Sequence, residues 1–317
     1  MFGSKKIKIL IIGMPDLVLY CIKALKSARK NIVGVITSPP SNSTYEYMKT
    51  FLASEKLLHI ENNKNFKDEK LLQQVRELNP DVAFVCSFNY LLPKELYEIP
   101  HLGTINFHPS LLPDYRGANP YFHVINNDEK ITGITMHFMD ETFDTGDIIK
   151  QVPLPILDND TMGSLFNRMN VETAKLCLKT VQDIEKGITL PRTKQSLEGD
   201  FKTAPKIFAD TDDVKINWNY SVIKIERFIR ALNPFFGATS MINGEELKFW
   251  DVNFIHNEAA SALPAGTVVD ITDEAIFISA KDGFIRTNIL GYAEHNYFSQ
   301  VETIVDKIGI KKGDIFK

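Results

Sequence analysis

Short apolar runs and helical stretches alternate along the first half of the chain. Apolar runs of four to six residues, rich in β-branched side chains, predict buried strands. They lie at 8–12, 32–36, 81–86 and 104–107. Helix-period stretches fall between them, and a longer amphipathic stretch spans 162–186. Because buried strands separated by helices are typical of βαβ units, this pattern predicts an α/β fold with a Rossmann-like, mainly parallel sheet.

The pattern changes in the last third of the chain. Residues 191–212 mix Gly, Pro and polar side chains, which predicts a linker between a first domain at 1–190 and a smaller one at 213–317. The smaller domain contains several short strand patterns, and the turn pairs Asn243-Gly244 and Asp282-Gly283 lie between some of them. These pairs are strong hairpin signals. The pattern predicts a C-terminal OB-like β-barrel of about five strands.

Composition narrows the class of protein. The 317 residues are 44% hydrophobic and 24% charged, with a net charge of −4, which does not suit a generic nucleic-acid binder. No apolar run approaches the roughly 18 residues that a membrane span needs. Cys21, Cys86 and Cys177 are far apart and lack metal-binding spacing. We therefore expect a soluble, cytoplasmic protein without disulfides or a metal site.

A nucleotide-binding loop is not indicated after the first strand. Gly13 is a single glycine where a dinucleotide fingerprint needs three, and no GxxxxGK[ST] motif occurs. The simpler interpretation is that Gly13 lets the chain turn. Ser110 lies outside any GxSxG motif, so a serine hydrolase is also disfavoured.

Polar groups suited to catalysis concentrate between residues 103 and 149. Asn106 and His108 alternate with apolar neighbours, so on a strand both side chains project to one side. Pro109 ends that strand, which places His108 at the sheet edge where open α/β folds bind ligands. Asp144 follows within an Asp-Thr-Gly turn. Each residue alone also has a structural explanation, but together they supply an amide donor, an imidazole and a carboxylate.

Longer motifs around these residues resemble the folate-dependent formyltransferases. They are Asn106-Phe-His108-Pro-Ser-Leu-Leu-Pro113, Tyr115-Arg-Gly117 and Asp144-Thr-Gly146. The family includes glycinamide ribonucleotide, methionyl-tRNA and amino-sugar-nucleotide formyltransferases. Ile229-Arg-Ala-Leu-Asn-Pro234 and Lys248-Phe-Trp250 resemble the barrel domain of the longer members, so the short glycinamide ribonucleotide enzymes are disfavoured.

The resemblance implies a catalytic trio of Asn106, His108 and Asp144, with 10-formyltetrahydrofolate as formyl donor. A neutral amine attacks the formyl carbon, and negative charge develops on the formyl oxygen. The Asn106 amide and a protonated His108 are expected to donate hydrogen bonds to that oxygen. Asp144 is expected to favour the imidazolium, to hold the ring, and to assist proton removal from the amine. This chemistry requires neither a nucleophilic residue nor a metal.

The resemblance also places the pteridine of the donor against the segment that follows the strand at 81–86. Main-chain groups there can bind the pteridine edge, while Phe88, Leu91 or Leu92 contacts its apolar face. The alternative is that these side chains belong to the core of a strand-to-helix loop. The predicted donor-binding residues are Phe88, Asn89, Tyr90, Leu91, Leu92 and Asp140.

Three residues beside the catalytic motif are candidates for contact with the acceptor. They are Tyr115, Arg116 and Asn119. Arg116 either pairs with a diphosphate in a bidentate manner or braces its loop by bonding to carbonyls. The sequence leaves these two roles open.

The identity of the acceptor amine divides the family. Methionyl-tRNA formyltransferases carry a basic insertion after the second strand, whereas residues 37–46 here contain no Lys or Arg. Residues 201–317 contain 13 Lys and Arg and 16 Asp and Glu, so their net charge is negative. A surface that binds a polyanion is expected to carry a positive net charge. The sequence therefore favours a nucleotide-linked amino sugar, with initiator methionyl-tRNA as the alternative.

A folate site is also compatible with two other classes of function. The chain can be a folate-binding protein without turnover, or a hydrolase that releases formate. The intact trio disfavours the first. A homodimer formed through an apolar barrel surface is left open.

Overall fold

The computed structural model describes residues 6–37, 43–62, 65–88, 90–257, 260, 262–293 and 297–317. The chain divides into two units. The first contains the chain up to Pro120 together with Ile131–Pro155 and Asn167–Ala204. The second contains Tyr121–Lys130, Ile156–Phe166 and Pro205–Lys317. The segment predicted as a linker thus lies partly in each unit, and the domain boundaries at 190 and 213 remain predictions.

A seven-stranded sheet forms the centre of the first unit, in the order β3-β2-β1-β4-β5-β6-β7. Its strands are β1 (Lys8–Gly13), β2 (Asn31–Thr37), β3 (His59–Glu61), β4 (Val82–Cys86), β5 (Thr104–His108), β6 (Ile131–Phe138) and β7 (Ile148–Pro155). Strands β1 to β5 pair in parallel, and β6 and β7 join as antiparallel strands. The predicted α/β class with a mainly parallel sheet is confirmed.

The central strands form because their side chains are apolar on both faces. Ile9 to Ile12 in β1 and all of β4 are buried, as expected for parallel strands covered on two sides. On one face, Leu10, Ile12 and Val85 pack with Leu72 and Val75 of the third helix. Burial of each such side chain contributes about 1.5–3 kcal/mol.

Six helices connect these strands or follow them. They are α1 (Pro15–Ser27), α2 (Ser43–Ser54), α3 (Glu69–Leu78), α4 (Lys94–Tyr97), α5 (Pro120–Asn126) and α6 (Met162–Glu185). Helix α3 illustrates the local signals: the Asp68 side chain accepts a hydrogen bond from Lys70 N at its start, and Asn79 ends it in the left-handed conformation. Within the described residues, none of the helices combines the length and the apolar composition needed to cross a bilayer.

Gly13, the last residue of β1, allows the ends of two strands to pack closely. A Cβ at Gly13 would lie 2.1 Å from the Cys86 carbonyl oxygen, and Met14 N donates a hydrogen bond to that same oxygen at 3.0 Å. Strands β1 and β4 therefore approach at the point where the strand order reverses. The structure thus gives Gly13 a packing role at the end of β1, which differs from the expected role in a turn.

The second unit contains an antiparallel sheet of six strands, one more than predicted. The strands are β8 (Ala238–Ile242), β9 (Glu245–His256), β10 (Val268–Ile271), β11 (Ile276–Ala280), β12 (Gly283–Tyr292) and β13 (Tyr297–Gln300), with helices α7 (Val222–Leu232) and α8 (Val301–Ile308). Asn243 and Gly244 form the tight β8–β9 turn, both with positive φ. Strand β13 pairs with the far end of the long β12, an addition that the sequence pattern did not reveal.

An aromatic cluster anchors the core of the second unit. Trp218, Phe249 and Phe316 are buried, with ring centroids 5.4 to 5.8 Å apart. The Trp218 indole N–H donates to Ser240 Oγ at 2.9 Å, which satisfies its polar atom inside the core.

Candidate active site

The three predicted catalytic side chains converge at the carboxyl end of β5. Asn106 and His108 lie two residues apart on that strand, and Asp144 lies in the connection between β6 and β7. Asp144 Oδ1 is 3.3 Å from His108 Nδ1 and accepts a hydrogen bond from Asn106 Nδ2 at 3.4 Å. Residues separated by 36 positions or more thus form one polar cluster, as the sequence predicted.

The Asp144 carboxylate is at the centre of this cluster. Besides His108 and Asn106, its Oδ1 lies 3.7 Å from His137 Nε2, and its Oδ2 accepts a hydrogen bond from Gly117 N at 3.2 Å. Only about 10% of the side chain is exposed. Burial raises the pKa of Asp144, but the charge and hydrogen bonds of His108 and His137 outweigh burial and hold this pKa well below its ordinary value. The carboxylate is therefore ionised at neutral pH.

The His108 ring is fixed by two acceptors. Its Nε2 donates to the Tyr115 carbonyl oxygen at 2.9 Å, and its Nδ1 faces the Asp144 carboxylate. The ring is 4% exposed. Because a carbonyl and a carboxylate can only accept hydrogen bonds, the doubly protonated imidazolium is the form that satisfies both contacts. The site thus contains a buried imidazole that is oriented by a carbonyl and a carboxylate.

His137 belongs to this cluster and was missed as a site residue. It lies directly opposite Asn106 in the antiparallel β5–β6 pair. Its Nδ1 donates to the Phe138 carbonyl at 2.9 Å, and its Nε2 lies within hydrogen-bond distance of Asn106 Nδ2, at 3.1 Å. The Asn106 amide is therefore held by two partners, and its orientation is defined.

The predicted acceptor-binding side chains have other roles in this structure. The Tyr115 side chain is 5% exposed and its carbonyl accepts a hydrogen bond from His108, so contact of this side chain with the acceptor stays a prediction. Arg116 Nε donates to the Asp144 carbonyl at 3.2 Å, and its Nη2 donates to Gln195 Oε1 at 2.7 Å and to Ser196 O at 3.0 Å. These contacts match the loop-bracing role of Arg116 and not the diphosphate pair.

Asn119 lies at the end of the same loop. Its backbone N–H donates to the Ala204 carbonyl at 3.2 Å, which ties the loop to the chain that follows α6. Contact with an acceptor remains a prediction for this residue.

The segment after β4 presents an aromatic surface. Phe88 and Tyr90 are partly buried and pack on Phe66, with ring centroids between 5.2 and 5.8 Å apart. Asn89, also predicted to contact the donor, lies outside the described residues. This aromatic group can flank a flat heterocycle, since part of each ring of Phe88 and Tyr90 stays exposed.

The two leucines of this segment differ in exposure. Leu91 is 45% exposed, whereas Leu92 is 1% exposed and packs in the core beside the sheet. The Leu92 side chain thus has the position that its core alternative describes, and contact of Leu92 with the donor stays a prediction. Its burial is the ordinary consequence of an apolar position in a strand-to-helix loop.

Asp140 shapes the loop that carries Asp144. Its carboxylate accepts hydrogen bonds from Thr145 Oγ1 at 2.8 and 2.9 Å and from Thr142 N at 3.2 Å. Gly146 passes so close to β6 that a Cβ there would lie 1.8 Å from the Phe138 carbonyl oxygen. Asp140 is thus engaged within its own loop, and contact with the donor remains a prediction for it.

No group of three or more His, Cys, Asp or Glu side chains in the described ranges is arranged to hold a metal ion. The polar cluster instead consists of an amide, two imidazoles and one carboxylate, all at one sheet edge. Such a set can stabilise charge on an oxygen and manage protons on a nitrogen. The fold and the site are therefore compatible with group transfer at a carbonyl carbon.

Family comparisons identify the class more closely. The formyl transferase model matches residues 5–181, and the model of the formyl transferase C-terminal domain matches residues 209–299. The methionyl-tRNA formyltransferase of Azobacteroides pseudotrichonymphae is 35% identical over 301 residues, which covers 89% of this chain and 90% of the relative. The corresponding protein of Bacteroides thetaiotaomicron is 34% identical over 295 residues, with 89% and 90% covered.

Solved structures share the fold at lower identity. The sugar 3N-formyl transferase WlaRD, solved with dTDP and 5-N-formyl-THF, matches with a TM-score of 0.64 and 20% identity, covering 89% of this chain and 97% of its own. HypX from Aquifex aeolicus, in complex with tetrahydrofolic acid, matches with a TM-score of 0.66 and 17% identity. That match covers 99% of this chain and 51% of HypX.

The chain belongs to the formyl transferase family. It is a folate-dependent formyltransferase, an enzyme that uses a formyl-tetrahydrofolate as its donor. The resemblance seen in the sequence motifs and the prediction of a formyl-transferring enzyme are both confirmed.

Proposed function

We propose that this enzyme transfers the formyl group of 10-formyltetrahydrofolate to the amino group of methionyl-tRNA. The supporting observation is similarity across about nine tenths of the chain to relatives that are named methionyl-tRNA formyltransferases. The sugar N-formyltransferase match is at 20% identity and supports the fold alone. Methionyl-tRNA therefore takes precedence over the amino-sugar nucleotide that the charge pattern favoured.

The site contains the donors that formyl transfer needs. The substrate supplies a formyl carbonyl, on whose oxygen negative charge grows as the amine attacks. In our proposal, Asn106 Nδ2 exchanges its 3.4 Å contact with Asp144, and His108 Nε2 exchanges its bond to the Tyr115 carbonyl, for a hydrogen bond to that oxygen. A preorganised donor of this kind is worth about 3–4 kcal/mol in a water-poor site.

The low pKa of Asp144 determines its role in our proposal. A carboxylate whose pKa lies well below the ordinary value is a weak base, so it acts mainly by stabilising the His108 imidazolium and by holding its ring. Proton removal from the amine follows attack, when the nitrogen carries positive charge and is acidic enough to release a proton to Asp144 or to water. Collapse of the tetrahedral intermediate then breaks the bond between the formyl carbon and N10 of the donor, and N10 takes up a proton and leaves as the amine of tetrahydrofolate. Asn106 stays oriented by His137 throughout.

We place the pteridine of the donor beside Phe88 and Tyr90. These rings and the half-exposed Leu91 provide an apolar face next to main-chain groups at the carboxyl edge of β4. A flat heterocycle with polar edges fits such a surface, because the rings can pack on its face while backbone groups bind its edge.

A comparison of acceptors tests the proposal. Purified enzyme is supplied with 10-formyltetrahydrofolate and either initiator methionyl-tRNA or a panel of dTDP-linked amino sugars, and the formylated products are quantified. We expect kcat/KM for methionyl-tRNA to exceed that for every amino sugar by at least about 100-fold, and to fall steeply with salt. Efficient formylation of an amino sugar, with none of methionyl-tRNA, would overturn the proposed acceptor.

An amino-sugar nucleotide remains the second candidate because of charge. Residues 37–46 contain no Lys or Arg, and residues 201–317 hold 13 Lys and Arg against 16 Asp and Glu. An acceptor that is a small nucleotide requires no basic platform, whereas tRNA binding gains most of its nonspecific affinity from one. The salt dependence in the same experiment separates the two, since a small acceptor gives a much weaker slope.

A further inference from the structure

The segment after α6 contains one residue that differs from its neighbours. Nine of the ten side chains from Pro191 to Asp200 are exposed, and Gln195 alone is partly buried. The backbone on either side is tied to the first unit: Thr193 exchanges two hydrogen bonds with Ile148, and Lys202 O accepts from Tyr115 N at 2.6 Å. Gln195 is therefore held against the loops that carry the site.

The Gln195 carboxamide binds the turn that contains Asp144. Its Nε2 donates to the Asp144 carbonyl at 3.0 Å and to the Gly146 carbonyl at 2.7 Å. Its Oε1 accepts from Arg116 Nη2 at 2.7 Å. Both amide hydrogens and the amide oxygen thus form hydrogen bonds. All three partners lie in the loop that follows β5, which contains Arg116, or in the β6–β7 connection, which contains Asp144 and Gly146.

The backbone of Asp144 has an uncommon conformation. Its φ is +58°, a left-handed value that only a few per cent of non-glycine residues adopt, although Asp adopts it more readily than most. The Asp144 carbonyl accepts from both Gln195 and Arg116, while its carboxylate faces His108 and Asn106. The two ends of one residue are therefore fixed from opposite sides.

We propose that Gln195 is a positioning residue for formyl transfer. It acts by holding the Asp144 carboxylate in the correct position relative to His108. This inference rests on the proposed role of Asp144 in the reaction. Gln195 itself touches neither reacting atom, so its removal is expected to change the geometry of Asp144 and not the set of groups at the reaction centre.

Three variants test this role. Gln195→Ala removes all three hydrogen bonds, and we expect kcat to fall about 10- to 100-fold with KM for either substrate within about threefold. Gln195→Glu keeps the shape but presents a carboxylate oxygen to two carbonyl oxygens, so we expect a larger loss of kcat. Leu197→Ala, at a side chain 65% exposed on the same segment, is the matched control and should keep wild-type kcat.

A double-mutant cycle separates positioning from general support of the fold. In Asp144→Asn, whose residual transfer is followed at high enzyme concentration, adding Gln195→Ala should lower kcat by less than about twofold, because the group being positioned is already lost. An equal fractional loss in both backgrounds, or wild-type kcat in Gln195→Ala, overturns the positioning role. Near-normal turnover of Asp144→Asn itself would instead show that the proposed function of the site is wrong.

Discussion

Replacement of Gly146 by alanine tests how tightly the Asp144 turn is constrained. The added Cβ would lie 1.8 Å from the Phe138 carbonyl oxygen, whereas a close carbon–oxygen contact is about 3.3 Å, so the turn must move by about 1.5 Å. Phe138 N also donates to the Asp147 carbonyl at 2.9 Å, which ties the other side of the turn to the same residue. The displacement therefore reaches Asp144, two residues away.

Both stability and turnover should respond to Gly146→Ala. Overpacking of this kind costs about 1–3 kcal/mol, which corresponds to a fall in Tm of about 1.5–4.5 °C for a chain of this size. A misplacement of about 1 Å at a reacting group costs roughly 100-fold in rate, so we expect kcat for methionyl-tRNA formylation to fall by about that factor.

Gly187→Ala is the matched control for this substitution. Gly187 has a φ of +76° and no heavy atom within 4 Å of the added Cβ. Its replacement should cost about 1–2 kcal/mol through the left-handed backbone alone, with kcat unchanged. Thermal melts of both variants measure the loss of stability, and steady-state kinetics measure the change in kcat. A Gly146→Ala enzyme that melts lower yet turns over at the wild-type rate would refute the claim that Asp144 must be placed accurately.

Two further predictions concern stability. The folded-state pKa of Asp144 is lowered, so its ionisation stabilises the protein above the unfolded-state pKa of about 3.9, and this contribution is lost as the pH falls. In urea unfolding, the free energy of unfolding of wild type should exceed that of Asp144→Asn by an amount that shrinks below pH about 4. A difference in unfolding free energy that grows with acid would contradict this assignment. Leu92→Ala should lower the free energy of unfolding by about 2–5 kcal/mol, because Leu92 is 1% exposed. Leu91 is 45% exposed, so Leu91→Ala should change the same free energy by no more than about 0.5 kcal/mol. Equal effects would contradict the different environments of the two leucines.

Local pattern was sufficient to predict the parallel strands β1, β2, β4 and β5 and the two polar positions on β5, but not strand β3. The apolar runs at β1, β4 and β5 have the length and composition of buried strands, and the alternation in β5 places Asn106 and His108 on one side. The position of Asp144 came from motif resemblance, because its distance from His108 depends on how the β6–β7 connection folds back. Spacing along the chain carries no such information.

His137 and Gln195 show what the sequence could not reveal. Strand β6 is buried almost throughout, so alternation gives no reason to single out His137, and its pairing with Asn106 depends on strand register. Gln195 lies among Pro, Gly and polar residues that are typical of a linker, and only the tertiary contact with Asp144 and Gly146 distinguishes it. In both cases the signal is a long-range contact that local composition does not encode.

The most direct measurement of the central claim is the single-turnover rate of His108→Ala with saturating 10-formyltetrahydrofolate and methionyl-tRNA. His108 is the buried imidazole between Asp144 and the Tyr115 carbonyl, and in the proposed mechanism its loss removes one donor from the developing oxyanion. We predict a rate about 100- to 1,000-fold below wild type, in an enzyme whose far-ultraviolet circular dichroism is unchanged. A folded variant that transfers formyl within about tenfold of the wild-type rate, well short of that loss, would contradict the account.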